Sequence, residues 1–177
     1  MALVQIQPET DADHAAIREV ILAAFAHHRE VADLVDAIRR SPHYEPELSL
    51  LARVDGTAAG FVMISHATLV DDDLATHDVL TLSPLGVAPE HQRQGVGSAL
   101  VRTALAAADR TGAALVTLEG SPAYYGRLGF RYAPDLGVHI RLPDWAPAEA
   151  AQVYPLTGYR PDVRGRLDYP PAFDLVS

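Results

Sequence analysis

The sequence predicts an α/β (α+β) fold: a mixed, mostly antiparallel central sheet whose fourth and fifth strands lie parallel and splay apart. Three observations carry that expectation. Asp55-Gly56 sits between two apolar runs as a tight hairpin turn, which makes the early strands antiparallel. An alanine-rich helical stretch separates the apolar runs Val79 to Val87 and Ala113 to Leu118, and strands joined by a crossover helix run parallel. Pro84 and Gly86 interrupt the first of those runs. A proline cannot donate to a sheet ladder, so inside a strand it marks a bulge or a parting from the neighbour.

In chain order, Leu3, Val4 and Ile6 suggest a first strand that Pro8 ends. Thr10 or Asp11 caps a helix whose apolar residues Ile17, Val20, Ile21, Ala24 and Phe25 follow the helical period. A second helix repeats the spacing with Val31, Leu34, Val35 and Ile38. Arg39 and Arg40 suit the negative end of its dipole, and Ser41-Pro42 stops it. Leu48 to Val54 and Ala59 to Leu69 read as the two arms of the hairpin, and Asp71-Asp72-Asp73 as a solvated loop. Val79 to Val87 is the fourth strand. Past a glycine-containing loop, Val96, Leu100, Val101, Ala104, Leu105 and Ala108 fall on one helical face, with Gly112 where a left-handed C′ residue belongs. Ser121-Pro122 is a helix start, cap first and proline at the first helical position. That short helix ends by Leu128-Gly129, and Phe130 to Ala133 resumes extended structure. Val138 to Leu142 and Gln152 to Leu156 are candidate strands, and the tail from Thr157 is rich in proline, arginine and tyrosine.

Composition narrows the function. At 177 residues the chain is expected to form one domain, 1–177, with a core over 1–133 and C-terminal strands and tail over 134–177. A chain of that length buries roughly 70% of its unfolded surface. The net charge of −9 argues against nucleic-acid binding, which wants a basic face. With no cysteine, disulfides, thiolate metal sites and a cysteine nucleophile are excluded. All 14 basic residues are arginine, so no lysine Schiff base can form. No window is apolar enough to span a bilayer and the N-terminus lacks a secretory pattern; the expected location is cytoplasmic, without membrane partners. The adjacent His27-His28 pair has no partner motif, and no metal is expected.

The chemistry centres on Leu80 to Ala108. Strand, glycine loop and helix N-terminus form an anion site, because the loop and first-turn N–H groups lack backbone partners. A dinucleotide loop would want a third glycine, and the position three after Gly97 is Leu100. The Walker pattern needs a lysine. A strand parted from its parallel neighbour leaves backbone groups that an amide-bearing ligand could pair with, as a peptide adds to a sheet edge. Amides on a splayed strand and a pyrophosphate on the adjoining helix N-terminus describe coenzyme A.

On these residues the chain resembles the GNAT acetyltransferase superfamily. The match is Leu85-Gly86-Val87-Ala88-Pro89, the Gln-x-x-Gly-x-Gly pattern at Gln92 to Gly97, and Leu100. It continues some thirty residues later with Ala123-Tyr124-Tyr125-Gly126-Arg127-Leu128-Gly129-Phe130. The latter wording, with the ending Tyr169-Pro170-Pro171-Ala172-Phe173, is similar to the YhbS-type branch. The resemblance implies helices on both faces of the sheet and acetyl-CoA as co-substrate. Leu85, Gly86 and Val87 would meet the pantetheine arm, Leu85 and Val87 through backbone groups. Gln92, Arg93, Gln94, Gly95, Val96, Gly97 and Ser98 would form the pyrophosphate loop, with N–H groups from Arg93 to Ser98 as donors and Arg93 reaching a phosphate. The resemblance also implies homodimerisation through the tail strands.

Tyr125 stands four residues before the glycine of Leu128-Gly129-Phe130, where the family's usual tyrosine stands, and is expected to meet the thiolate as coenzyme A leaves. A phenol near pKa 10 facing a thiol near about 8.5 makes full proton transfer uphill by roughly 2 kcal/mol, so Tyr125 is a hydrogen-bond donor to sulfur. Tyr124 points about 100° away on the same helix, so one of the pair belongs to the core. Where the family pattern has an asparagine upstream of this helix, the chain carries Ser121-Pro122. With no cysteine, lysine or Gly-x-Ser-x-Gly elbow, direct attack of a primary amine, from a small molecule or peptide, is the economical mechanism. Glu119, ending the fifth strand, is the candidate base. Thr81 and Ser83 could order a water, and His66 and His77 are more distant candidates. Helices one and two are expected to wall the acceptor, through His28, Arg29 and Tyr44. The competing reading is a non-catalytic acyl-CoA sensor or complex subunit, which needs the loop and no base.

Overall fold

A computed structural model describes residues 2–177. Its strands are β1 (Val4–Pro8), β2 (Ser49–Val54), β3 (Thr57–Val70), β4 (Thr76–Val87), β5 (Leu115–Glu119), β6 (Arg131–Tyr132), β7 (Val138–His139), β8 (Ala151–Pro155) and β9 (Gly165–Asp168). The helices are α1 (His14–Ala24), α2 (Arg29–Arg39), α3 (Val96–Asp109) and α4 (Pro122–Gly126). All nine strands form one sheet in the order β1-β2-β3-β4-β5-β8-β6, with β9 bonded to the far end of β3 on one side and to β7 on the other. Pairing is antiparallel except for β4–β5 and β7–β9. The mixed sheet with a parallel central pair is the predicted fold class.

Alternation along β3 sends side chains to two cores. Val62 and Ile64 pack with Leu100, Val101 and Ala104 of α3, whereas Phe61 and Met63 pack with Ile17, Ile21, Leu34 and Ile38 of α1 and α2. Helices therefore cover both faces. A third cluster, Leu69, Val79, Leu115, Val153 and Leu167, seals the sheet beneath the C-terminal segments. The entry to α1 differs in detail from the reading: Thr10 precedes a 3-10 turn, Asp11–Asp13, and α1 begins only after it. Asp13 accepts from the Thr10 N–H at 2.9 Å and its hydroxyl at 3.0 Å, fixing the entry to α1. Asp55 and Gly56 both take positive φ, 49° and 83°, as a tight hairpin turn requires. No helix among the described residues is long and apolar enough to cross a membrane.

Two tail elements differ from expectation. Val138 to Leu142 contracts to the two residues of β7, and the tail read as irregular supplies β9. β9 has both edges bonded within the chain, to β3 and to β7.

The feature that positions the site is the parting of β4 from β5. The parallel ladder has only two pairs, Leu80↔Val116 and Thr81↔Thr117. Opposite, Ile64 faces Leu82 and Val62 faces Leu85, so Ser83 and Pro84 together oppose Met63 alone. That extra residue bends the strand. Beyond the bulge β4 stays bonded to β3 as far as Val87, while β5 continues along β8 to Glu119↔Ala151. The sheet is thus open between Leu82–Val87 of one strand and Leu118–Glu119 of the other.

Candidate active site

Pro89–His91 forms a single 3-10 turn after β4, and the chain then swings into α3 through Gln92–Gly95. Gly95 caps α3 with φ of 85°, in the left-handed region where glycine carries no steric penalty. The backbone bond from Ala99 N–H reaches Gly95 C=O at 3.0 Å, so the first-turn amides ahead of it have no partner inside the helix. The Gln92 side-chain amide donates to Val87 C=O at 2.9 Å, and that of Gln94 to Glu90 C=O at 3.1 Å. Both glutamines thus shape the loop. What remains outward is a row of amides at a positive helix end, with Arg93 beside it. A cavity of about 320 Å³ opens there, lined by Leu85, Val87, Arg93, Gly97, Ser98 and Tyr124.

Gly86 presents its hydrogen to α1; a Cβ there would lie 3.1 Å from Ala24 Cβ and from Phe25 Cε2. Leu85 and Val87 turn their side chains to the α3 core, which leaves their backbone edge toward the gap. Ser121 Oγ accepts the Tyr124 N–H at 3.3 Å as the cap of α4.

The two tyrosines of α4 divide as expected. Tyr124 leans over the loop, its hydroxyl 3.5 Å from Ser98 Oγ. Tyr125 packs against the α3 core and is held by edge-on rings, Tyr124 at 4.9 Å and Phe130 at 5.5 Å between centroids. Its ring crosses directly over Gly120, where a Cβ would come within 2.5 Å of Tyr125 Cε2; only glycine allows that approach. Burial, reinforced by the neighbouring Tyr124, pushes the Tyr125 phenol well above its ordinary value. It stays protonated and donates.

Glu119 and Tyr125 both line a throat of about 200 Å³ with Ser83, Pro84 and Leu85, in the gap between β4 and β5. Protein atoms crowd the Glu119 carboxylate even though it stays open to the cavity, and that desolvation raises its pKa; a hydrogen bond from Tyr169 partly offsets the rise. Tyr169 Oη donates to Glu119 Oε2. Burial and the adjacent carboxylate push the Tyr169 phenol upward in turn. Tyr169 stacks on Phe173 at 4.8 Å, and Phe173 is seated in the α1–α2 core.

Beyond Glu119 the throat widens into a cavity of about 630 Å³. Its walls are Phe25 of α1, the segment Leu142–Pro147 with Trp145, and Tyr169 and Phe173 of the tail. The expected acceptor wall is therefore corrected in part. Phe25 belongs to it, but Tyr44 donates to Glu9 at 2.8 Å and His28 pairs with Glu30 at 3.0 Å, away from the cavity, and Arg29 does not line it. Thr81 and Ser83 do line it, although the Thr81 hydroxyl is given to Thr117 C=O at 3.4 Å. His66 faces Glu45 at 3.3 Å and His77 faces Asp71 at 3.0 Å, and neither lines the throat. Among the described residues no three His, Asp or Glu gather as a metal-binding group. Tyr169 and Trp145 were missed. The aromatic Tyr169-Pro170-Pro171-Ala172-Phe173 ending, an unusual composition for a disordered tail, was the available signal for the first.

The acetyltransferase (GNAT) family model matches residues 6–130. The Escherichia coli (strain K12) protein YjhQ, an uncharacterized N-acetyltransferase, is 38% identical over 118 residues; these are 67% of this chain and 64% of YjhQ. Two solved structures align over nearly their whole length. The GNAT family N-acetyltransferase YhbS from Escherichia coli, in complex with CoA, has TM-score 0.83 and 26% identity, over 99% of this chain and 93% of that one. A GNAT family acetyltransferase from Brucella melitensis, in complex with acetyl-CoA, has TM-score 0.78 and 28% identity, over 97% of this chain and 99% of that one. The splayed β4–β5 pair, the amide-lined loop and these matches together place the chain in the acetyltransferase (GNAT) family.

Proposed function

We propose that the chain transfers an acetyl group from acetyl-CoA to a primary amine, by direct attack within a complex of both substrates. The observation that carries this reading is the meeting of Glu119 and Tyr125 in the throat where β4 and β5 part, between the loop cavity and the larger one. The site suits coenzyme A. Unpartnered amides at a helix N-terminus favour a pyrophosphate, and Arg93 stands beside them. The edge of β4 beyond the bulge, with no strand paired beside it, offers hydrogen bonds to an amide-bearing arm, the Val87 C=O already taking one from Gln92. Relatives in complex with CoA and with acetyl-CoA support the same assignment.

Acetyl-CoA supplies an acetyl group activated as a thioester. Glu119, ionised in the working state, takes a proton from the incoming ammonium and frees the nitrogen lone pair. The raised pKa makes it a better acceptor for that proton than an exposed carboxylate. With acetyl-CoA in place, attack by the freed amine would form the C–N bond as the C–S bond breaks. The second proton of the nitrogen would pass to the departing thiolate to give the free thiol, and Tyr125 would donate a hydrogen bond to that sulfur as it leaves. The neutral phenol, held by Tyr124 and Phe130, is aimed before the reaction begins, which is where such donors gain their effect.

The test combines binding and turnover. At about 100 times its dissociation constant, acetyl-CoA adds ~2.7 kcal/mol of stability. For a chain of this size that raises Tm by roughly 5–10 °C. No shift at millimolar acetyl-CoA refutes the cofactor assignment. A shift with no thiol release across a broad panel of amines leaves the sensor reading instead.

A further inference from the structure

The wall of the 630 Å³ cavity is chemically one-sided. Phe25, Leu142, Pro143, Trp145, Pro147 and Phe173 are among its apolar members, and Glu119 is its single charged side chain. The chain has 14 arginines, none of them on this wall. An acceptor bearing a carboxylate or phosphate would lose its hydration with no cation to replace it. A second ammonium would find no second acid. The few polar groups are largely committed, Thr81 to Thr117 C=O and Ser121 to the cap of α4.

Trp145 adds a positive requirement. It is the sole tryptophan of the chain, 84% exposed at the cavity's rim. The aromatic pairs among the described residues do not include it. A large ring left in water at the mouth of an apolar cavity is an open contact surface, and rings pair best edge-on or offset-stacked with another ring.

We infer that the acceptor is a primary monoamine with an apolar, ring-bearing body and no anionic group, its ammonium at Glu119 and its ring against Trp145. This inference rests on the acetyl-transfer reading of the same site and narrows it to one substrate class. Trp145 is then a specificity residue, and because it is the only tryptophan it reports acceptor binding whether or not turnover follows.

The experiment titrates the CoA-loaded protein with 2-phenylethylamine while Trp145 fluorescence is followed. Thiol release from acetyl-CoA is then measured with 2-phenylethylamine, phenylalanine, 1,4-diaminobutane and ethylamine. We expect saturable quenching by 2-phenylethylamine and a preference for it over phenylalanine and the diamine on the order of 100-fold in kcat/KM. Trp145→Ala should raise its KM by about tenfold with kcat nearly unchanged. Ethylamine, which carries no ring, should be a weaker substrate than 2-phenylethylamine. Equal or better use of phenylalanine or the diamine overturns the inference while leaving acetyl transfer intact. Absence of quenching at millimolar 2-phenylethylamine also overturns it. Quenching without thiol release supports the cavity's selection of a ring-bearing amine as ligand and overturns the transfer reading alone.

Discussion

The sharpest prediction concerns Tyr169→Phe, which deletes one oxygen atom and leaves the ring stacked on Phe173. The Tyr169 hydroxyl donates to the Glu119 carboxylate, and burial raises the Glu119 pKa while that bond partly pulls it back. Removing the donor therefore moves the pKa further up. A hydrogen bond to a charged group is worth about 1.5–3 kcal/mol, and one pKa unit corresponds to about 1.4 kcal/mol. Glu119 still faces the cavity, so water takes over part of the lost contact, and we expect a rise of about one unit. The assay is kcat/KM for thiol release across the acid and neutral range. The wild-type rate falls as pH drops through the Glu119 pKa, because the base must be ionised, and the variant should fall about one pH unit earlier on the way down. Tyr169 is itself pushed upward and stays neutral over that range, so no second limb intrudes. An unmoved acid limb refutes the coupling. A limb displaced toward lower pH refutes the assignment of Glu119 as the base.

Other consequences can be measured with standard assays. Tyr125→Phe should lower kcat by about 10²-fold while the dissociation constant of CoA, read by calorimetry, changes little; unchanged kcat removes Tyr125 from the mechanism. Gly120→Ala places a Cβ 2.5 Å from the Tyr125 ring, so it should reproduce that kcat defect and destabilise the fold by about 1–3 kcal/mol in urea unfolding. The Asp13 carboxyl is held below its ordinary 3.8 chiefly by the Thr10 N–H, with Arg53 adding to it. A depressed acid stabilises above its unfolded value and loses that contribution as pH falls through the folded one. Asp13→Asn should thus lower stability by about 0.5–2 kcal/mol near neutrality, with a difference that vanishes in strong acid; a difference independent of pH refutes this account.

Much of the frame was legible because local rules and tertiary demands agree. Ser121 caps α4, Gly112 turns left-handed, and Ile17, Ile21, Leu34 and Ile38 all reach the core that their spacing predicts. The binding half of the site was legible for the same reason: strand, loop and helix are contiguous in sequence. The acceptor half was not. β9 carries one apolar residue, Leu167, and forms because Thr68–Val70 offers a ladder a hundred residues away. Tyr169 meets Glu119 across 50 residues of chain, a pairing no local pattern encodes. Periodicity showed which residues of α1 and α2 face inward, but not that the Leu142–Pro147 segment would line a cavity together with Phe25. Tyr44 was drawn off by Glu9 on a different element.

The bulge in β4 separates the slot from the fold that houses it. Leu80 and Leu82 face α3, and so do Leu85 and Val87 beyond the irregularity. The strand thus changes phase by one residue and still keeps its leucines and valine on one side. Shortening the chain by one residue at Ser83-Pro84 would leave Leu85 opposite Val62 and every core contact in place, while β4 ran straight on beside β5. Such a deletion should produce a well-folded protein with no opening for an acyl carrier. Substitutions along the strand can retune what enters, whereas only a change of length can shut the door. Among relatives, loss of activity by this route would be visible as a gap of one residue and not as altered side chains.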